Sequence, residues 1–183
     1  MKQTVLRYLP NIITFLRIVA VGPVAWLLWV ENYMYALLVF AVAGVSDGVD
    51  GYLARRFNWK SHWGAVMDPM ADKLLMVATA TVLMFKDILP LWLYILIFLR
   101  DSIIVIGAAI YRFKFGPFKV QPTTLGKLST FVQILMVLSL LLHASTGLLS
   151  NGQILVMINL CGLITVLSGI QYVTIWLRKA LNE

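Results

Sequence analysis

Charged residues are scarce in this chain of 183 residues. They make up 13% of it, against about 25% in a typical soluble domain, whereas 61% of the residues are hydrophobic. A soluble core of this size does not absorb so many apolar side chains, so the composition predicts an integral membrane protein. The single cysteine, Cys161, excludes an intramolecular disulfide. The sequence contains no internal repeat and no low-complexity tract.

Long apolar runs account for the hydrophobic excess. A helix of about 20 residues crosses the bilayer core. The sequence predicts an all-α integral membrane protein in which residues 1–183 form a single membrane domain. Six transmembrane helices are expected, at about residues 12–30, 33–55, 64–85, 89–112, 125–145 and 154–177. The first ten residues are predicted either to lie on the membrane surface as a short amphipathic helix or to form a frayed tail.

Lysine and arginine are distributed unevenly between the two ends of these spans. If both termini lie on one side, that side holds eleven basic residues and the other holds only Lys86. Such a bias predicts that the basic side, with both termini, lies in the cytoplasm or its organellar equivalent. The net charge of +7 is then explained by topology and by attraction to anionic lipid, and it does not indicate a nucleic-acid partner. The compact length without a presequence favours a bacterial plasma membrane.

Two pairs of aspartates lie inside predicted spans. A buried aspartate costs roughly 2.5–3.5 kcal/mol at mid-bilayer, so such residues are taken as functional by default. Asp47 and Asp50 are three residues apart on the second span, and Asp68 and Asp72 are four apart on the third, so each pair shares a helix face. The short connection predicts that these two helices are antiparallel neighbours. All four carboxylates are therefore expected to converge near the cytoplasmic interface.

Four carboxylates in one site require compensating positive charge, because like charges repel and burial disfavours the ionised form. Two divalent cations would balance the four negative charges, and oxygen-only ligands favour Mg²⁺, Mn²⁺ or Ca²⁺ over Zn²⁺. The alternative is a set of buried salt bridges to Arg55, Lys73 and Arg100, which leaves the regular spacing unexplained. In the first span, Arg17 is expected either to reach a headgroup pocket or to extend its charged end towards the interface.

The acidic pairs form part of a longer pattern, Asp-x2-Asp-Gly-x2-Ala-Arg-x8-Gly-x3-Asp-x3-Asp, over residues 47–72. It resembles the signature of the CDP-alcohol phosphatidyltransferases, with all eight fixed positions filled. The segment "LPNIITFLRIVAVGP" also resembles the start of that family's first span. The resemblance implies a six-helix membrane fold, typically a homodimer, with two divalent cations, Mg²⁺ or Mn²⁺, at the cytoplasmic face. It further implies transfer of a phosphatidyl group from CDP-diacylglycerol to an alcohol, with release of CMP.

The resemblance also assigns roles to individual residues. The expected metal ligands are Asp47, Asp50, Asp68 and Asp72. Asp72 would in addition act as the general base that takes the proton from the attacking hydroxyl. The CDP-diacylglycerol site would consist of Arg55 at the diphosphate and of three small residues that leave room for the cytidine, namely Gly51, Ala54 and Gly64.

The fourth and fifth spans bear on the choice of acceptor alcohol. The branch of the family that uses glycerol-3-phosphate tends to carry two further cations, but Ala108 and Ser129 stand at those positions. The segments "LRDSIIVIGAAIYR" and "VQPTTLGKLSTFVQ" instead resemble the cardiolipin synthases of the family. Their acceptor, phosphatidylglycerol, carries a single negative charge and needs less positive charge than a phosphomonoester dianion. We therefore expect cardiolipin synthesis, with phosphatidylglycerophosphate synthesis as the alternative.

The candidate acceptor pocket contains four residues, Arg100, Asp101, Arg112 and Lys127. Pairing with an aspartate is the alternative role for Arg100, and anchoring at the membrane surface is the alternative for Arg112 and Lys127.

Two functions of other classes are less compatible with the pattern. A divalent-cation transporter needs polar residues at successive depths, whereas the outer half of every predicted span is apolar. A membrane prenyltransferase usually places its acidic motifs on loops of a larger bundle.

Overall fold

The computed structural model describes residues 9–56, 62–115 and 123–181, and the regular elements within these ranges are all helices. The six helices are α1 Leu9–Trp29, α2 Tyr33–Arg56, α3 His62–Phe85, α4 Leu91–Phe115, α5 Thr124–Thr146 and α6 Asn151–Leu181. Each agrees within a few residues with one of the six predicted spans, which confirms the all-α prediction. The predicted surface helix at the N-terminus falls largely on residues 1–8, which lie outside the described ranges.

The surface of the described helices is characteristic of a membrane protein. Three segments are long and apolar enough to cross a bilayer, Leu91–Ala109, Thr124–Thr146 and Asn151–Leu177, and two shorter apolar stretches run through Ile13–Trp29 and Tyr33–Ser46. Large apolar side chains such as Trp26, Val42 and Phe113 point outwards and are mostly exposed. An apolar exterior of this kind is stable in lipid rather than in water, so the chain is an integral membrane protein.

The chain divides into two compact units. The first unit contains α1, α2, α3 and residues 141–148, which include the end of α5. The second contains α4, the remainder of α5 up to Leu140, and α6.

In the first unit, α1 packs against both α2 and α3. Arg17 contacts Asp72 near the middle of the two helices, and Glu31 contacts Lys86 just beyond their C-terminal ends. Both contacts join residues that are 55 apart in sequence. A constant offset means that α1 and α3 run parallel. The buried core between these contacts is formed by aliphatic side chains, among them Val24, Leu28, Leu75 and Leu83.

The helices α1 and α3 also end in the same way. Glu31 and Asp87 have left-handed backbone conformations, with φ values of 62° and 56°. In each case the following amide donates back into the helix, Asn32 to the Leu27 carbonyl at 2.8 Å and Ile88 to the Leu83 carbonyl at 3.0 Å. These are Schellman caps, which satisfy carbonyls that the helix leaves without partners.

The two caps are joined by a polar contact. Lys86 donates to a carboxylate oxygen of Glu31 at 2.7 Å, and its ammonium lies 5.5 Å from the centre of the Trp29 ring. Lys86 therefore ties the end of α3 to the end of α1.

In the second unit, α4 and α6 pack in parallel through reciprocal contacts between tryptophan and glycine. A Cβ atom on Gly107 would lie 2.7 Å from the Trp176 Nε1 atom, and one on Gly162 would lie 2.9 Å from the Trp92 ring. Each glycine thus provides the space that a tryptophan of the other helix occupies. The two contacts have nearly the same sequence offset, which fixes the register of α4 against α6.

Candidate active site

The predicted metal ligands lie on two helices of the first unit. Asp47 and Asp50 are on α2, and Asp68 and Asp72 are on α3. The two aspartates of each pair are therefore about one helical turn apart, roughly 4.5 Å along the axis on α2 and 6 Å on α3. This confirms the predicted placement of each pair on one helix.

Most of the predicted ligand side chains lie outside the described part of the structure. This holds for Asp47, Asp50 and Asp68, and for the residues assigned to the nucleotide, Ala54, Arg55 and the small residues Gly51 and Gly64. Their helical positions are known, and their roles remain predictions. Among the side chains that are described, no group of three or more histidine, cysteine, aspartate or glutamate residues lies together.

Asp72 forms an ion pair with a residue of α1. The Arg17 Nη1 atom donates to the Asp72 Oδ1 atom at 2.7 Å. The Arg17 side chain is 2% exposed, whereas that of Asp72 remains 43% exposed. The arginine is therefore enclosed among the helices, whereas the Asp72 side chain is partly exposed. Sequence reasoning had considered only Arg55, Lys73 and Arg100 as partners of the aspartates, and it missed Arg17.

A cavity of about 370 Å³ lies between α1 and α2 and contains Arg17 in its lining. Its walls are otherwise largely apolar, and on α2 they extend to Ser46, the residue that precedes Asp47. Arg17 thus contacts the carboxylate of Asp72 on α3 and also lies beside the start of the acidic segment of α2. The acidic segments of α2 and α3 consequently both lie next to α1, at a similar position along its axis.

The predicted ligand set fits hard divalent cations. Its four aspartates offer only carboxylate oxygens, which Mg²⁺ and Mn²⁺ prefer. The Asp72 side chain is 43% exposed, and its Oδ1 atom accepts from Arg17. In the contacts described, α2 and α3 each pack against α1.

Arg100 is at the centre of a polar cluster in the second unit. Its guanidinium donates to the Ser168 hydroxyl from Nε at 3.3 Å and from Nη2 at 3.1 Å. Nη2 also donates to the Gly126 carbonyl at 3.1 Å, and Nη1 donates to Asp101 at 2.6 Å. The guanidinium carbon lies 5.7 Å from the centre of the Tyr172 ring. Arg100 is only 6% exposed, so this cluster joins α4, α5 and α6 in the interior.

These contacts bear directly on the acceptor candidates. Pairing with an aspartate, which the sequence left as the alternative role for Arg100, is observed with Asp101. Lys127 follows Gly126 in the first turn of α5, and its side chain is exposed. Arg112 lies on α4, and its side chain is outside the described part. All four acceptor candidates belong to the second unit, whereas the four metal-ligand candidates belong to the first.

Position 129 is one of the positions at which the two acceptor branches of the family are expected to differ. Ser129 is 1% exposed, and its hydroxyl lies 3.5 Å from that of Thr165 on α6. Gln133 donates to both hydroxyls, at 3.4 Å and 3.5 Å. A buried network of short polar side chains therefore occupies the place at which the glycerol-3-phosphate branch tends to carry a lysine.

Comparison with known proteins identifies the family of the chain. The family model for CDP-alcohol phosphatidyltransferase matches residues 7–176. A protein of Streptomyces coelicolor named cardiolipin synthase (CMP-forming) is 35% identical over 149 residues, covering 78% of this chain and 69% of that protein. A human protein of the same name is 30% identical over 145 residues, covering 70% of this chain and 48% of that protein.

A relative with a different printed name matches a shorter segment. The CDP-diacylglycerol--glycerol-3-phosphate 3-phosphatidyltransferase of Bacillus subtilis is 36% identical over 111 residues, covering 61% of this chain and 56% of that protein. The chain thus spans only about half the length of the human and Bacillus relatives. The match over residues 7–176 and the complete signature at residues 47–72 nevertheless lead to one conclusion: the chain belongs to the CDP-alcohol phosphatidyltransferase family.

Proposed function

We propose that this protein transfers a phosphatidyl group from CDP-diacylglycerol to phosphatidylglycerol and thereby forms cardiolipin and CMP. The observation that carries the proposal is the position of the complete family signature, which lies on two helices that flank α1. The family acts on CDP-diacylglycerol and alcohol acceptors within membranes, and this chain has the apolar helices that such substrates require.

The family generally uses divalent metal ions. Asp47, Asp50, Asp68 and Asp72 would hold two of them, Mg²⁺ or Mn²⁺, which when bound neutralise charge at the diphosphate. The remaining chemistry belongs to the side chains. Arg55 would orient the diphosphate, and the small residues Gly51, Ala54 and Gly64 would leave space for the cytidine.

The proton of the acceptor hydroxyl would pass to the Asp72 carboxylate. The acceptor oxygen would form a bond to the phosphorus of the phosphatidyl group, and the bond from that phosphorus to the CMP oxygen would break. Both substrates are lipids, so a site near the interface allows their acyl chains to remain in the bilayer while the headgroups meet.

The acceptor site is proposed to involve Arg100, Asp101, Arg112 and Lys127. Because Arg100 donates to the Gly126 carbonyl, it fixes the first turn of α5, where Lys127 lies next in sequence. Arg100 would therefore act on the acceptor through the position of α5, and Lys127 offers a cation whose side chain is exposed. The phosphodiester of phosphatidylglycerol is a monoanion and matches this modest positive charge.

Phosphatidylglycerophosphate synthesis is the second candidate function, because the Bacillus relative bears the name of that activity. Against it stand Ala108 and the buried Ser129 at the two positions where that branch tends to carry further cations. The comparisons give no support to the divalent-cation transporter considered above.

The proposed setting follows from the charge distribution and the family. We propose six membrane spans with both termini and the active site in the cytoplasm, in a bacterial plasma membrane, and a homodimer as the working form. The cytoplasmic excess of lysine and arginine supports the orientation.

The acceptor can be tested by the release of CMP from CDP-diacylglycerol by the purified protein. Phosphatidylglycerol, glycerol-3-phosphate and inositol phosphate would be compared at equal concentration. Phosphatidylglycerol is expected to support turnover. Turnover with glycerol-3-phosphate alone would establish the second candidate in its place.

A further inference from the structure

Arg17 makes a contact that the roles proposed above do not use. It donates to one oxygen of Asp72 at 2.7 Å, across 55 residues of sequence. The Arg17 side chain is almost completely enclosed, and Thr14, one turn earlier on the same face of α1, is equally buried at 2% exposure. Burial of a charged side chain costs free energy unless a partner offsets that cost. The contact of Arg17 with Asp72 indicates which interaction does so here.

The partner of Arg17 is the residue proposed to hold a metal ion and to accept a proton. Carboxylates that bind metal ions are commonly held by further hydrogen bonds, which fix their orientation. A guanidinium is planar and carries its donors in fixed directions, so it orients a carboxylate more strictly than an ammonium does. Arg17 also lines the cavity that reaches Ser46, so the same side chain lies beside the acidic segment of α2.

We propose that Arg17 is a positioning residue that fixes the carboxylate of Asp72 for metal binding and turnover. The inference rests on the proposed function, because it requires Asp72 to belong to the metal site. It assigns to α1, which carries none of the four signature aspartates, a direct role in the geometry of that site.

A general role in joining α1 to α3 is the competing explanation. The structure offers a matched control for it, because Lys86 and Glu31 form a second ion pair between the ends of the same helices, also at 2.7 Å. The two residues of that pair are more exposed than Arg17, with side-chain exposures of 22% and 62%. The variants Arg17→Gln and Lys86→Gln each remove one α1–α3 ion pair, and only the first removes the contact to Asp72.

The experiment measures Mn²⁺ binding to the purified protein by calorimetry, together with CMP release at saturating Mn²⁺. For Arg17→Gln, we expect Mn²⁺ affinity and kcat each to fall by about 10–100-fold, with KM for phosphatidylglycerol unchanged. Arg17→Lys keeps the charge without the planar guanidinium, so its losses should lie between those of the wild type and Arg17→Gln. Lys86→Gln should match the wild type in both measurements.

Several outcomes would overturn the inference. Wild-type Mn²⁺ affinity and kcat in Arg17→Gln would do so, and so would equal losses in Lys86→Gln, which would indicate a role in helix packing. If Arg17→Gln does not remain monodisperse in detergent, Arg17→Lys carries the test, and unchanged Mn²⁺ affinity in that variant overturns the inference. The proposed metal site itself fails in a different way, namely if the wild type binds no more Mn²⁺ than an Asp47→Asn, Asp50→Asn double variant.

Discussion

Replacement of Ser168 by alanine tests whether Arg100 is a structural centre of the second unit. The Ser168 hydroxyl is fully buried and accepts two hydrogen bonds from the Arg100 guanidinium. Alanine removes that acceptor and leaves part of a buried guanidinium without a partner. An unsatisfied buried polar group costs about 1–3 kcal/mol, and more when it is charged. We expect Ser168→Ala to lower the free energy of unfolding by about 2–3 kcal/mol.

A double-mutant cycle separates this contact from other effects. Arg100→Met removes the guanidinium and should cost about 3 kcal/mol, because Asp101 and the Gly126 carbonyl then lose a charged donor. In the Arg100→Met background, Ser168→Ala should cost less than about 1 kcal/mol, since the hydroxyl no longer has a guanidinium to accept from. The expected coupling is therefore roughly 1–2 kcal/mol, within the range found for residues in contact.

The assay is reversible unfolding in mixed detergent micelles, followed by tryptophan fluorescence. Ser139→Ala is the matched control, because the Ser139 hydroxyl donates only to the Leu135 carbonyl of its own helix and lies near the surface. That control should change stability by less than about 0.5 kcal/mol. A Ser168→Ala variant as stable as Ser139→Ala, or one with the same cost in both backgrounds, would refute the structural role of Arg100.

Three further predictions concern packing and chemistry. Gly107→Ala should lower stability by about 1–3 kcal/mol in the same assay, because the new methyl would lie 2.7 Å from Trp176, whereas Gly44→Ala, with no atom within 4 Å, should change it by about 1 kcal/mol or less. Asp50→Asn and Asp72→Asn should each abolish CMP release while the protein still inserts into the membrane; near-normal rates would refute the assigned roles. Chelation with EDTA should stop turnover, and Mg²⁺ or Mn²⁺ should restore it; full activity in EDTA would contradict the metal requirement.

The helices could be predicted because their signals are local. Each apolar run has the length of a membrane span, and polar or helix-breaking residues separate the runs, so the predicted and observed ends differ by only a few residues. The pairing of the helices could not be predicted in the same way. The parallel register of α4 and α6 depends on Trp92 and Trp176 entering the space above Gly162 and Gly107, contacts between residues about 70 apart in sequence.

The acidic signature could likewise be found from sequence, since its spacing places each pair of aspartates on one helix face. The partner of Asp72 was missed, because Arg17 lies 55 residues away on a helix whose sequence shows only one charged residue in an apolar run. A buried arginine in a membrane span was itself a signal, and its direction became clear only from the packing of α1 against α3.

Product analysis gives the most direct test of phosphatidyl transfer to phosphatidylglycerol. The purified protein would be incubated in phosphatidylglycerol vesicles with Mg²⁺ and CDP-diacylglycerol that carries isotopically labelled acyl chains, and the lipids would be examined by mass spectrometry. The predicted product is cardiolipin with one labelled phosphatidyl group, formed in equal amount to the CMP released. Release of CMP with labelled phosphatidic acid and no labelled cardiolipin would contradict the proposed function.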